Sequence, residues 1–189
     1  MPDPEADGLV KVSNACHDAF VRAANDKRSQ LRWPLLVTRG VESGAEGRIV
    51  VLRRYDRATR TIEIWTDRRS RKVAELSADP NTSLVFFDRS KMVQMRANGV
   101  ARIVFEGQEW EDAFARAGQA SLDDYTTELA PGAELAETEI TRQVSLAREM
   151  FTQILIRVDT IDWLSLSRDG HRRALIDWRD EGTHSWRVP

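Results

Sequence analysis

Apolar positions Val12, Cys16, Phe20, Val21 and Ala24 recur three and four residues apart, which predicts an amphipathic helix over residues 9–30 behind a short disordered tip at 1–8. Residues 33–38 form an apolar, β-leaning run opened by Trp33-Pro34, and it stops at a glycine-bearing turn at 40–47. In 48–53 β-branched residues stand between two arginines, 55–61 reads as a turn, and 62–66 alternates again, so the two runs predict a hairpin. Side chains alternate along a strand, so Arg48 and Arg53 are expected on opposite faces.

Ser70 is placed to cap a short helix with Val73, Ala74 and Leu76 as its buried stripe, ending before Asp79-Pro80. Residues 82–88 are a strongly apolar strand, and 92–104 alternates around Gly99, the mark of a bulge or of close backbone approach. Helical spacing returns at 109–117 with Trp110, Ala113, Phe114 and Ala117 on one side. Residues 118–138 are acidic and contain Pro131-Gly132, which predicts a loop or a loosely docked segment. Further strands are expected at 151–158, 161–166 and 173–178 before the closing Trp186. Short meandering strands with flanking helices favour a mainly β, antiparallel barrel over a doubly wound parallel sheet. One domain over 1–189 is expected, with 106–150 as a helical, acidic insertion and 151–189 as C-terminal strands.

Composition narrows the chemistry. The chain has 189 residues, 41% apolar and 31% charged, a globular balance that excludes wholesale disorder. The single Cys16 excludes an internal disulfide, and His17, His171 and His184 lack metal-ligand spacing, so no metal is expected. Cys16 and His17 are neighbours on a helix and point apart, which makes Cys16 a buried structural residue rather than a nucleophile. No apolar run approaches the ~20 residues of a membrane span, and the acidic start lacks a signal-peptide layout, so a cytoplasmic protein with no membrane partner is expected. A net charge of -2 argues against whole-chain attraction to nucleic acid. The charges are segregated, however: 48–72 carries nine basic and three acidic residues, and 106–139 carries ten acidic residues and one basic.

The basic segment contains Ser70, Arg71 and Lys72 at a predicted helix start, where unpaired N–H groups and the positive dipole end favour an anion. Arg matches phosphate oxygens in pairs and Lys adds a compact charge, so a phosphate monoester is the natural guest. Each charge-assisted hydrogen bond contributes about 1.5–3 kcal/mol net.

Taken in order, Arg48, Ile49, Val50, Val51 and Arg53, then Trp65 and Thr66, then Ser70, Arg71 and Lys72, then Asp79-Pro80, then Gln94 and Gly99, resemble the pyridoxamine 5'-phosphate oxidase family of FMN-binding split barrels. The resemblance is clear over 33–105 and weaker over 151–189, where Ile161-Asp162, His171, Arg173 and Trp186 carry it. It implies a C2 homodimer with FMN at the subunit interface and a small-molecule substrate. The backbone from Arg48 to Arg53 would pass the flavin ring, Trp65 and Thr66 would form the aromatic-Thr pair, and Ser70, Arg71 and Lys72 would hold the phosphate. Gln94 would reach the flavin from the second subunit, with Arg173 near the ring and His171 on the substrate side. Positive charge beside the ring would stabilise its anionic reduced form. Related barrels take a deazaflavin or haem, so the choice of chromophore stays open.

The chain departs from the family pattern at three places. Trp163-Leu164 stands where a flavin-contacting Trp follows an aromatic residue, and Asp169, beside Arg168, occupies the arginine position of the Arg-x-His substrate motif. Residues 106–150 are acidic where the oxidase holds its substrate's phosphate. An FMN-dependent oxidoreductase transferring hydride to flavin N5 is the leading expectation. A non-catalytic FMN carrier with a closed substrate face is the second, and polyanion binding by the basic segment the third.

Overall fold

The structure is a computed structural model that describes residues 4–42, 44–135, 140–167, 170–179 and 183–189, with side chains from residue 8 onward. Arg168 and Asp169 therefore lie outside the described residues. Helix α1 spans Pro4–Asn25 and buries Leu9, Ser13, Cys16, Phe20 and Ala23 at three- and four-residue spacing. It begins earlier than the periodicity predicts, so residues 4–8 are helix rather than a disordered tip. Proline is tolerated there because a first-turn N–H has no helical partner to lose. Burial pushes the Cys16 thiol up to about 12, consistent with a structural role.

Among the described residues, nine strands form one antiparallel sheet: β1 (Leu35–Arg39), β2 (Ala45–Ile49), β3 (Leu52–Asp56), β4 (Thr61–Asp67), β5 (Asn81–Asp88), β6 (Val93–Val104), β7 (Phe151–Ser165), β8 (Arg172–Asp177) and β9 (Ser185–Arg187). The path runs β2-β1-β5-β6-β7-β4-β3, with β8 and β9 continuing from β7. Strands β2 and β3 are the two ends of that path, yet Val50 and Val51 alone join them in the chain. A link that short spans about 10 Å, so the sheet must curl until its ends lie side by side. The ends do not pair, and the barrel is split between them. The single strand expected over 48–53 is thus two strands on either side of the seam: Val50 N–H still donates to the Pro34 carbonyl at 3.0 Å in the β1–β2 register, but proline has no N–H to carry that ladder further. The hairpin survives in its second half as β3 and β4.

Strand β7 is one 15-residue strand where two shorter ones are expected, because β6 pairs with it along nearly its whole length. The register shifts between Asn98 and Gly99, where Asp159 of β7 is an extra residue opposite β6. A Cβ on Gly99 would lie 2.0 Å from the Arg157 carbonyl oxygen, so bulge and close approach coincide there as predicted.

Two apolar clusters hold the molecule together. Leu36, Leu52, Ile62, Ile64, Leu84, Phe86, Ile154 and Ile156 fill the barrel, and Phe20 of α1 packs with them. On the outer face, helix α3 (Gln108–Arg116) sets Trp110 and Ala113 against Phe151 and Leu155. The insertion continues through α4 (Gln119–Leu122), a 3-10 turn at Asp123–Tyr125 and α5 (Leu146–Met150). Residues 118–138 are not loosely docked at their start: Tyr125 is 5% exposed and meets the edge of Phe151. Its acidic neighbours conceal that anchor in the sequence.

Candidate functional site

The remaining helix, α2 (Arg71–Ala78), follows β4 directly, and its first turn carries the sequence's anion-binding candidates. Ser70 occupies the N-cap position with extended dihedrals, but its hydroxyl lies 3.1 Å from Thr66 Oγ1 and caps no backbone N–H. Lys72 Nζ donates to the same Thr66 oxygen at 2.9 Å. Thr66 faces the barrel side of β4, in the same alternation as Ile62 and Ile64, so Thr66, Ser70 and Lys72 form a polar cluster at the barrel mouth. Burial, and then the charge of Arg48, pull the Lys72 ammonium below its ordinary range. The turn beneath is rigid: Arg69 pairs with buried Asp67 at 2.7 Å and donates to the carbonyls of Thr127 and Glu128 at 2.8 Å.

Arg48 comes to the same mouth from β2, but held by protein. Its NH2 donates to Glu75 Oε2 at 2.7 Å, its NH1 to Thr38, and Thr38 Oγ1 donates to Glu75 at 2.6 Å. The stripe predicted for α2 needs correction accordingly: Leu76 is buried, Ala74 is exposed, and Glu75 is 3% exposed. Arg71 stands exposed at the rim.

Arg53 and Trp65 lie on the other face of the seam. The Arg53 guanidinium sits over the Trp65 ring at 4.7 Å and donates to Ser121 Oγ at 3.3 Å, while its Nε is buried with no partner. Burial is the chief cause that draws its basicity down. The opposite facing of Arg48 and Arg53 agrees with expectation, because the alternation runs through the seam: Val50 and Leu52 are buried on the Arg48 side and Ile49 is exposed on the other. Trp65 Nε1 donates to Glu63 at 2.6 Å, and that buried carboxylate also receives Arg116 at 3.1 Å and Gln153 Nε2 at 3.1 Å. Between the two groups Val50 is buried, Val51 partly so, and Ile49 is 60% exposed on the outer face.

Gln94, Arg173 and His171 are not part of this assembly. Thr66 pairs in register with Thr152 of β7, and Gln94 with Leu164 of β7, which in turn faces Arg173. Twelve positions of one strand separate those levels, up to about 40 Å at 3.3 Å per residue. Arg173 donates to Asp162 at 2.8 and 2.5 Å, and that carboxylate, which Arg96 also reaches, is held below the usual range by Arg173 first. His171 is exposed. Leu164 shares the outer row with Gln94, and Trp163 turns to the core side between Met95 and Ala174.

Thr38, Glu75 and Ser121 are contacts that the sequence reading did not single out. Glu75 had a signal, since it lies one helical turn after Lys72 and therefore on the same face. Ser121 had none, because its neighbour Arg53 is distant in the chain.

A sequence profile of the family described as pyridoxamine 5'-phosphate oxidase matches residues 36–149, which is more than half of the chain. The chain belongs to that family. A search of curated proteins finds no significant sequence match. Among solved structures, a pyridoxamine 5'-phosphate oxidase-related, FMN-binding protein of Nostoc punctiforme superposes with a TM-score of 0.73 at 17% identity, covering 93% of this chain and 96% of its own. PhzG of Burkholderia lata, crystallised with tetrahydrophenazine-1-carboxylic acid, gives 0.70 at 18% identity over 100% and 98% of the two chains. A protein of Clostridium acetobutylicum related to general stress protein 26 gives 0.54 at 10% identity over 89% and 94%. At these identities the likeness is one of fold: a mainly antiparallel sheet with a few helices, of the pyridoxamine 5'-phosphate oxidase type.

Proposed function

We propose that the chain is an FMN-dependent oxidoreductase, a C2 homodimer in which each flavin is held by residues of both copies. The residues present fit the group. An ammonium, two hydroxyls, a rim guanidinium and the first turn of a helix make a donor set suited to a phosphate monoester at Thr66, Ser70, Arg71 and Lys72. The unpartnered, buried Arg53 Nε supplies a donor that protein leaves unmet. Arg48 would stand beside the phosphate, and Ile49, Val50 and Val51 beside the ring with Trp65.

The observation that carries the shared site is the register along β7, which sets Gln94 and Arg173 at one end and Thr66 with Lys72 at the other. Such a chain completes the family's set only with a second copy. Apolar Ile49, Leu35 and Val85 run in one outward row toward Arg96, with exposed Phe87 beside Gln94, a surface suited to that copy. Bound FMN would supply hydride acceptance at N5. The protein's own part is to orient the ring at the seam, to place positive charge from Arg53 and the second copy's Arg173 near it, and to screen it from water with the insertion. His171 of the second copy would lie on the substrate side.

Pyridoxamine phosphate is not the favoured substrate, because Asp123 and Asp124 stand where Ser121 approaches Arg53 and oppose a second phosphate. The same packing favours a second reading, a non-catalytic FMN carrier whose substrate face is closed by residues 119–125. The visible spectrum of purified protein, identification of any chromophore released on denaturation, and FMN titration test the cofactor. Reduction of the bound flavin by candidate small substrates then separates enzyme from carrier.

A further inference from the structure

Glu75 lies one helical turn beyond Lys72 and is 3% exposed, so a carboxylate is sealed into the mouth that the flavin reading gives to a phosphate. Its Oε2 takes Thr38 Oγ1 at 2.6 Å and Arg48 NH2 at 2.7 Å, and the other terminal nitrogen of Arg48 goes to Thr38. Both terminal nitrogens of this guanidinium therefore end on protein oxygens. A guanidinium grips phosphate best through two parallel N–H donors, and with one N–H of each terminal nitrogen on Thr38 or Glu75, Arg48 turns its end-on pair to a phosphate only by leaving both. Lys72 and Arg71 make no such bond: Lys72 donates to a neutral hydroxyl and meets the charge of Glu75 only through space, and Arg71 has no ion pair among the described residues.

We propose that Glu75 is an internal counter-anion that competes with the cofactor phosphate for Arg48 and so limits how tightly FMN is held. The proposal rests on the flavin reading above. It makes Glu75 a positioning residue that acts through Arg48. It also predicts affinity that depends on the phosphate and not on the ring.

The test measures dissociation constants by quenching of flavin fluorescence, with FMN and with riboflavin as the phosphate-free probe. The proteins are the parent, Glu75→Gln, Arg48→Met and the double variant. Gln keeps an acceptor for Thr38 and Arg48 while removing the charge. FMN is expected to bind Glu75→Gln roughly tenfold more tightly than the parent, riboflavin equally, and the gain is expected to vanish when Arg48 is Met. Unchanged or weaker FMN binding by Glu75→Gln overturns the proposal, as does a gain shared by riboflavin or one that persists without Arg48. Should Glu75→Gln fail to fold, Glu75→Asp, whose carboxylate is withdrawn by one methylene, is expected to bind FMN more tightly than the parent; no gain there also overturns it. A parent that refuses FMN while Glu75→Gln accepts it supports the counter-anion and removes the resident-cofactor reading. Refusal by both overturns both.

Discussion

The guanidinium of Arg53 stands 4.7 Å from the Trp65 ring centroid with its Nε buried and unpartnered. The aromatic face stabilises the cation from one side, and Ser121 takes one terminal nitrogen, but a strong donor is left without an acceptor. A buried donor without a partner costs stability, so such a group is kept for what it meets. Arg53→Met keeps the packing stem over Trp65 and removes the unmet donor. Its melting temperature is expected within about 3 °C of the parent, since the stability change should stay near 1 kcal/mol, while flavin retention falls. A thermal melt beside a flavin titration checks this; a drop of more than about 8 °C would show that Arg53 serves the fold.

Lys72→Met removes the ammonium and preserves much of its stem. One charge-assisted hydrogen bond of about 1.5–3 kcal/mol corresponds to FMN binding weakened roughly 10- to 150-fold, with riboflavin binding unchanged. Equal losses for both flavins would place the phosphate elsewhere.

Gly99→Ala sets a methyl group 2.0 Å from the Arg157 carbonyl oxygen. Backbone cannot yield as a side-chain tip does, so the β6–β7 bulge must open. The expected loss is about 3 kcal/mol or more, a fall of roughly 6–12 °C in melting temperature. A melt within about 2 °C of the parent would refute the close approach.

His17 accepts or donates at 2.5 Å with the Tyr55 hydroxyl and stacks on Trp178 at 4.1 Å, which ties α1 to β3 and to the end of β8. Burial first, then Arg57, lower its pKa from 6.5 to about 4. Between those values the unfolded chain binds a proton that the folded chain refuses, so stability falls as pH drops through the window and is fully present above it. Urea midpoints measured from pH 7 to pH 4 should show that slope, and His17→Gln should flatten it. A parent whose midpoint rises on acidification would contradict the burial.

Much of this molecule was legible in its residues. The order of Arg48, Trp65, Ser70, Lys72 and Gln94 led to the family, and Gly99 announced its bulge. The seam was hidden because β-branched Val50 and Val51 read as a strand interior, whereas which edge each half joins depends on partners far along the chain. Glu75 lies outside the stripe predicted for its helix, because its burial depends on Arg48 and Thr38, which strands distant in the chain bring to it. The docking of Tyr125 was concealed for a similar reason, since local polarity predicts solvent unless a distant apolar surface competes.

The shared site is tested most directly by mixing two disabled chains. Lys72→Met damages the barrel-mouth half and Gln94→Ala the far half, so dimers of either variant alone carry only damaged sites. A mixed dimer carries one intact site and one doubly damaged site. Differently tagged variants, co-expressed and purified through both tags, are expected to bind FMN with parental affinity at about one site per two chains. Mixed dimers that bind no better than either parent variant, or a chain that stays monomeric with FMN bound, would contradict a flavin held between two copies.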